Sequence, residues 1–89
     1  MNYNVLWHED ALKDLKGIDK SDAQRIIKKI EEYFLKDPYN LGKPLAGHLK
    51  GFYRFRIDKY RIIYNINKDK QIILILRIGK RDKIYRTIL

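Results

Sequence analysis

The chain has 89 residues, a formal net charge of +9 and no cysteine. This length suits one domain over residues 1–89, and the missing thiols exclude disulfides, cysteine nucleophiles and cysteine-ligated zinc. No apolar run approaches the roughly 20 residues that cross a bilayer, and the first residues lack a signal-peptide pattern, so we expect a cytoplasmic protein without a membrane partner.

The positive charge is concentrated in the second half of the chain. Residues 1–42 contain seven Lys/Arg and eight Asp/Glu, which gives −1, whereas residues 43–89 contain thirteen Lys/Arg and three Asp/Glu, which gives +10. A positive field segregated in this way favours a polyanionic partner. Nucleic acid ranks first, an acidic protein second and an anionic membrane third.

The first elements in chain order are a short strand and a helix. Tyr3, Val5 and Trp7 alternate with their neighbours, which predicts a strand that ends at His8. The acidic pair at positions 9 and 10 provides the negative charge that favours a first helical turn. This helix is expected to end near Gly17.

A second amphipathic helix follows. Asp19 or Ser21 caps its start, and Ser21 and Gln24 have the spacing of a capping box. Pro38 is expected to end this helix, because proline lacks the amide hydrogen and disfavours helix in the residue before it. Residues 37–47 are then predicted to form a loop.

The second half begins with a predicted β-hairpin. In residues 53–57, apolar side chains alternate with Arg54 and Arg56, so both guanidinium groups fall on one face of the strand. A two-residue connection leads to residues 60–66, where Arg61 faces away from the apolar side chains. The hairpin therefore has one apolar face and one charged face.

A third strand is predicted at residues 71–78, ending at Gly79. It is apolar at nearly every position, which is typical of an interior strand covered on each side. Two amphipathic helices need an apolar surface to bury against, and one face of the sheet provides it. We therefore predict an α+β fold, in which an N-terminal strand and a two-helix hairpin pack on a mainly antiparallel four-stranded sheet.

The residue inventory narrows the chemistry. The only histidines, His8 and His48, are forty positions apart, and the only serine, Ser21, belongs at a helix start, so neither a metal site nor a serine triad is expected. No glycine-rich phosphate motif is present, so no nucleotide cofactor is expected. What remains are arginines, which stabilise charge on a phosphate, and tyrosine or histidine, which move protons. This set suits metal-free cleavage of RNA by its own 2′-hydroxyl.

Two sequence segments carry a family resemblance. The first is LKGFYRFRIDKYRIIYNI at residues 49–66. An apolar strand follows it, and the second segment is RIGKRDKIY at residues 77–85. The succession resembles the RelE/ParE superfamily of toxins from type II toxin–antitoxin systems, most closely the RelE branch, and the resemblance covers nearly the whole chain. It implies a RelE-like fold and a ribosome-dependent endonuclease that cuts mRNA in the A site. It also implies a cognate antitoxin with an acidic or amphipathic segment, bound in a toxin–antitoxin hetero-oligomer.

The resemblance also implies a catalytic site, by position. Its members are Arg54, Arg56, Arg61, Arg81 and Tyr85. Arg61 and Arg81 would hold the scissile phosphate and stabilise its extra charge. Tyr85 would stack on a base or assist proton transfer.

One departure from the family concerns proton transfer. Several RelE-type enzymes have lysines where this chain has Arg54 and Arg56, and arginine stays protonated in proteins. The general base would then be Tyr85, His48 or no protein group at all. His48 lies just ahead of the basic strand, which makes it a further candidate for substrate contact.

Four lysines suit contacts with the RNA backbone of the ribosome. They are Lys50, Lys59, Lys80 and Lys83, and such contacts would be independent of sequence and sensitive to salt. Two alternatives to the endonuclease remain open. One is a ParE-like poison of DNA gyrase that cleaves nothing itself, and the other is a catalytically silent RNA-binding domain of the same fold.

Overall fold

The computed structural model describes residues 3–80. Its strands are β1 (Asn4–Trp7), β2 (Lys43–Pro44), β3 (Tyr53–Ile57), β4 (Tyr60–Asn67) and β5 (Ile72–Lys80). Its helices are α1 (Glu9–Lys16), α2 (Lys20–Glu32) and the four-residue α3 (Pro38–Leu41), with 3₁₀ turns at Phe34–Lys36 and Gly47–Leu49. No helix in this part of the chain is long and apolar enough to cross a membrane.

The strands form one sheet in the order β1-β5-β4-β3-β2, with β1 parallel to β5 and every other pair antiparallel. The mainly antiparallel α+β architecture is thus confirmed, and β5 is an interior strand as predicted. The strand count was wrong, because the described sheet has five strands and not four. The additional strand β2 is two residues long, which is too short to show an alternating pattern.

Side chains cap the two main helices. His8 is the N-cap of α1, and its Nδ1 accepts a hydrogen bond of 3.0 Å from the Asp10 amide. Asp19 is the N-cap of α2 and accepts from the Ser21 amide at 3.1 Å. The capping box predicted at Ser21 and Gln24 is wrong, because Ser21 lies inside the first turn and its hydroxyl donates back to Asp19.

Pro38 begins a helix instead of ending one. Helix α2 ends at Glu32, well before the proline, and Pro38 is the first residue of α3. That position is favourable for proline, because the amide of the first helical residue has no intrahelical partner and φ is already suited to helix. The predicted loop over residues 37–47 therefore contains α3 and β2.

The core lies between the helices and one face of the sheet. Its fully buried members include Ile26, Ile30 and Phe34 from the helical side and Ile62 and Tyr64 from β4. The Phe34 ring packs edge-on against the Tyr64 ring at a centroid distance of 4.7 Å. The Tyr64 hydroxyl donates a hydrogen bond of 2.9 Å to the carbonyl of Pro38, which ties α3 to the sheet.

A β-bulge divides β5. Ile63 pairs with Arg77, but the next residue of β4, Tyr64, pairs with Ile75, so Leu76 is an extra residue on β5. Without this insertion, the alternation that buries Ile75 would also point Arg77 into the core. The bulge therefore moves Arg77 to the other face. Gly79, which was predicted to end the strand, lies inside it as the partner of Arg61.

Candidate functional site

The sheet face opposite the core, called here the open face, carries most of the described arginines. One row of cross-strand partners consists of Lys43, Arg54, Ile63 and Arg77. The next row consists of Arg56, Arg61 and Gly79. Cross-strand partners share a face, with Cβ atoms about 4.5–5.5 Å apart. The four arginines and the lysine therefore form one cationic surface.

Arg56 and Arg61 are direct partners in the β3–β4 hairpin. Arg56 is exposed, whereas Arg61 is partly buried and its Nε is shielded from solvent. Within residues 3–80, neither Arg54 nor Arg56 forms an ion pair with a carboxylate. Arg54 and Arg56 thus present two positive charges that no carboxylate of residues 3–80 neutralises, which suits an anionic ligand.

Arg77 is held by helix α1. Its Nε donates to Asp14 Oδ2 at 2.8 Å, and its Nη2 donates to Asp14 Oδ1 at 3.1 Å. The same Oδ2 accepts a 2.8 Å hydrogen bond from the backbone amide of Ile78. The carboxylate raises the pKa of Arg77 through these hydrogen bonds. Asp14 thereby covers the edge of β5 beyond the end of β1 and fixes Arg77 at the side of the open face.

A second cluster fixes the turn between β3 and β4. Asp22 of α2 accepts from the Tyr60 hydroxyl at 2.7 Å and from Arg25 Nη2 at 2.9 Å. Arg25 Nε donates to Asp58 Oδ2 in the turn at 2.8 Å. The hydrogen bond from Tyr60 is the main cause of a lowered pKa at Asp22, and it raises the pKa of Tyr60 in return. The hairpin that carries Arg56 and Arg61 is thus anchored to the start of α2.

Two of the predicted RNA-binding lysines lie on the core side of the hairpin end. The Nζ atoms of Lys59 and Lys80 lie 5.7 and 5.9 Å from the centroid of the Tyr60 ring. Lys59 Nζ is also 3.9 Å from Asp22 Oδ2. The fold therefore separates these lysines from the arginines of the open face. Lys50 is exposed directly after the 3₁₀ turn that contains His48.

The remaining predicted site residues, Arg81, Lys83 and Tyr85, lie outside the described residues. The fold does bring Arg54, Arg56 and Arg61 together, as the alternation predicted. Sequence reasoning did not select the Asp14–Arg77 pair, whose members are 63 positions apart and share no periodic pattern. Within residues 3–80, no group of three or more His, Cys, Asp or Glu side chains is arranged to hold a metal ion.

Comparison with known proteins establishes the family. The profile described as "ParE toxin of type II toxin-antitoxin system, parDE" matches residues 5–85. The putative toxin RelE1 of Methanocaldococcus jannaschii is 35% identical over 89 residues, covering 97% of this chain and 98% of the relative. Toxin RelE of Mycobacterium tuberculosis is 30% identical over 84 residues, covering 94% and 87%.

Solved structures agree with this relationship. A chain in the crystal structure of the toxin–antitoxin complex RelBE2 from Mycobacterium tuberculosis is similar with a TM-score of 0.87 and 26% identity, covering 91% of this chain and 100% of that one. The helices on one sheet face and the arginines on the other thus belong to a toxin of the RelE/ParE fold. The chain is a member of the ParE toxin family of type II toxin–antitoxin systems, and the resemblance read from the sequence is confirmed.

Proposed function

We propose that this toxin is a ribosome-dependent endonuclease that cuts mRNA in the A site. The observation that carries the proposal is the juxtaposition of Arg54, Arg56 and Arg61 on the open face, two of them as direct cross-strand partners. Paired guanidinium groups match the geometry and charge of a phosphodiester. The relatives at 30% identity or more that bear RelE names support the RelE type of activity.

The proposed reaction uses the RNA as its own nucleophile. The 2′-oxygen of one nucleotide attacks the adjacent phosphorus, the bond to the 5′-oxygen breaks, and the products are a 2′,3′-cyclic phosphate and a 5′-hydroxyl. The 2′-hydroxyl loses a proton and the 5′-oxygen gains one. Arg61 and Arg56 stabilise the negative charge that builds on the phosphate oxygens, which is the largest single contribution in reactions of this type. Arg81 joins them in this role by family resemblance.

The arginines do not act as the base. Guanidinium groups stay protonated, so Arg54 and Arg56 contribute charge and in-line positioning. Proton transfer is assigned to Tyr85 or His48, or it proceeds without a protein group. His48 is exposed in the 3₁₀ turn before β3, where an incoming RNA strand can reach it.

The ribosome supplies the substrate in this proposal. Lys50 and Lys59 are exposed outside the arginine rows, and with Lys80 and Lys83 they are assigned to phosphates of ribosomal RNA. Such contacts orient the toxin over the mRNA without reading sequence. Their loss should weaken binding in a manner that depends on salt.

We also propose a cognate antitoxin as partner. The family is defined by toxin–antitoxin pairs, and the similar structure from Mycobacterium tuberculosis is a toxin–antitoxin complex. An antitoxin segment with acidic side chains would complement the open face and cover the arginines, forming a hetero-oligomer. The antitoxin would then neutralise the toxin because it competes with RNA for the same arginines.

A second candidate function keeps the fold and changes the target. The matching family profile is that of ParE toxins, which favours a ParE-like poison of DNA gyrase as the alternative. A protein that only binds another protein has no need for a converging phosphate site, so the arginine rows favour the endonuclease. A catalytically silent RNA-binding domain would keep the arginines and bind ribosomes without cutting.

Induced expression followed by mapping of mRNA 5′ ends on ribosomes separates these functions. Wild type, Arg61→Gln and the exposed helix variant Lys28→Gln are compared, because both substitutions remove one positive charge. Wild type and Lys28→Gln should cut within translated codons, and Arg61→Gln should reduce cutting by about a hundredfold or more. Growth arrest with DNA damage and no cuts would establish the gyrase poison instead. Ribosome binding without cuts would establish the silent domain.

A further inference from the structure

An open depression lies on the open face beside the arginine rows. Its floor and walls are formed by Leu6, Gly51, Asn65, Asn67, Ile72 and Leu74. Its volume is about 660 Å³, and it is open to solvent, so it can cover one face of a ligand the size of a nucleobase.

The register of the sheet explains why both apolar and polar side chains line this depression. Leu6 of β1, Leu74 of β5 and Asn65 of β4 are successive cross-strand partners and share the open face. Leu6 lies on the edge strand of the sheet and is 54% exposed. The next row toward the β4–β5 turn places Ile72 beside Asn67. Apolar side chains thus lie next to amide groups along two rows.

The amide of Asn65 faces this space without a competing partner. Asn67 uses its Oδ1 to accept a 3.0 Å hydrogen bond from the Lys70 amide, which stabilises the β4–β5 turn. Asn65 makes no side-chain hydrogen bond within the part of the chain that the structure describes. Its amide offers one acceptor and two donor hydrogens, the combination that pairs with the edge of a nucleobase.

The depression continues the arginine surface at a spacing suited to an RNA strand. Arg61 and Asn65 are four residues apart on β4 and lie on the same face, which places them about 13 Å apart along the strand. Lys68, Asp69 and Lys70 line the far side of the depression, where two cations outnumber one carboxylate. An RNA strand running along β4 would meet cations at both ends and an apolar surface with an amide between them.

We propose that this depression is a nucleobase subsite, which binds the base of a nucleotide flanking the scissile phosphate. The proposal deepens the endonuclease function proposed above and rests on it. The base ring lies against Leu6 and Leu74, and its edge is read by the amide of Asn65. Single-stranded RNA is recognised in this way, because unstacked bases present both a ring face and a hydrogen-bonding edge. The subsite gives the cut a base preference at one fixed position.

The experiment maps mRNA 5′ ends on ribosomes for wild type and for two subsite variants, each with a matched control. Asn65→Asp removes the amide donor and is matched by Gln24→Glu, the same type of change on exposed α2. Leu6→Ala removes the apolar contact and is matched by Leu12→Ala, which is 45% exposed on α1. Wild type should favour one base at a fixed distance from the cut. Asn65→Asp should lower that preference about fivefold or more, and Gln24→Glu should leave it unchanged.

Leu6→Ala should slow cutting at every site more than Leu12→Ala does, because loss of the ring contact affects all bases. Unchanged base preference in Asn65→Asp, with cutting intact, overturns the subsite while leaving the endonuclease function standing. Unchanged cutting in both subsite variants together with weakened neutralisation by the antitoxin also overturns it and assigns the depression to protein contact. Absence of cuts by wild type contradicts the proposed function itself, and the subsite falls with it.

Discussion

Arg56 and Arg61 lie directly opposite each other across the β3–β4 hairpin, next to the Ile57–Tyr60 pair that closes it. Like charges at directly opposed positions destabilise an antiparallel pair. The turn beyond them is held by the Tyr60–Asp22 and Arg25–Asp58 hydrogen bonds. The fold therefore holds two like charges opposite each other at an anchored hairpin, an arrangement that costs stability and that would serve the anion binding proposed above.

Arg56→Gln should separate these two roles of the pair. Removing one of the opposed charges should raise the free energy of unfolding by about 0.2–1 kcal/mol, measured by urea denaturation. The same substitution should lower mRNA cleavage by about a hundredfold. Lys28→Gln on exposed α2 is the control, and it should change neither quantity. If stability and cleavage activity both fell in Arg56→Gln, Arg56 would instead have a structural role.

Asp14→Ala should destabilise the protein by about 2–3 kcal/mol, because it removes three hydrogen bonds to one carboxylate and leaves Arg77 without it. Asp14→Asn should cost less, since its side-chain oxygen can still accept from the Ile78 amide. Urea denaturation measures the difference, and hydrogen exchange at the Ile78 amide locates it. Equal stability of both variants and wild type would show that α1 does not anchor the edge of β5.

Acid should weaken the cluster around Asp22. Its hydrogen bonds lower the folded-state pKa of Asp22 below its ordinary value of 3.8, so the carboxylate stabilises the fold above that pH. This contribution is lost as the pH falls through the lowered folded-state pKa, because the unfolded chain binds the proton more readily. The stability difference between wild type and Asp22→Asn should therefore shrink on acidification from about pH 6 to about pH 2.

Urea denaturation across this pH range checks the prediction, with Glu31→Gln as a control that removes an exposed carboxylate from the same helix. The Glu31→Gln variant should lose as much stability on acidification as wild type does, because it keeps Asp22. A difference between wild type and Asp22→Asn that stays constant with pH would contradict a stabilising role for the ionised carboxylate.

Gly42→Ala should destabilise the fold through a clash and not through backbone strain. The φ angle of Gly42 is −103°, which any residue tolerates, but a Cβ there would lie 1.7 Å from the Tyr64 hydroxyl oxygen and 3.0 Å from the Arg54 carbonyl oxygen. The buried Tyr64 side chain cannot move without disturbing the core, so we expect a loss of about 1–3 kcal/mol in thermal or urea unfolding.

Gly17→Ala is the matched control for that substitution. A Cβ at Gly17 would meet its first neighbour, the Asp14 carbonyl oxygen, at 3.6 Å, which is ordinary contact. Its stability should stay unchanged or rise by up to about 1 kcal/mol, because alanine restricts the unfolded chain. Equal effects at the two glycines would exclude the contact with Tyr64 as the cause.

Local patterns predicted the hairpin and the helices well for a physical reason. Arg54 and Arg56 alternate with apolar neighbours, and a period of two leaves a single way to bury one face. The same reasoning assigned β5 to the interior of the sheet. The two-residue β2 gave no such pattern, and Pro38 is compatible with both the end and the start of a helix.

Contacts distant in sequence escaped prediction. Alternation from Ile73 and Ile75 would have placed Arg77 in the core, and only the register with β4 reveals the extra residue Leu76. In the sequence, Asp14 has the pattern of an ordinary polar residue on an amphipathic helix. Only the packing of α1 places it beside Ile78. The shared face of the hairpin arginines could therefore be predicted from the sequence, whereas contacts made by tertiary packing could not.

The most direct test of the central claim is single-turnover cleavage of an mRNA positioned in the A site of purified ribosomes. The toxin is added in excess, and the rate of appearance of the 5′-hydroxyl fragment is compared for wild type, Arg61→Gln and Lys28→Gln. Equal rates for wild type and Lys28→Gln, with Arg61→Gln slower by about a hundredfold or more at equal folded fraction, are the predicted result. Cleavage by Arg61→Gln at the wild-type rate would contradict the assignment of the reaction to the open face.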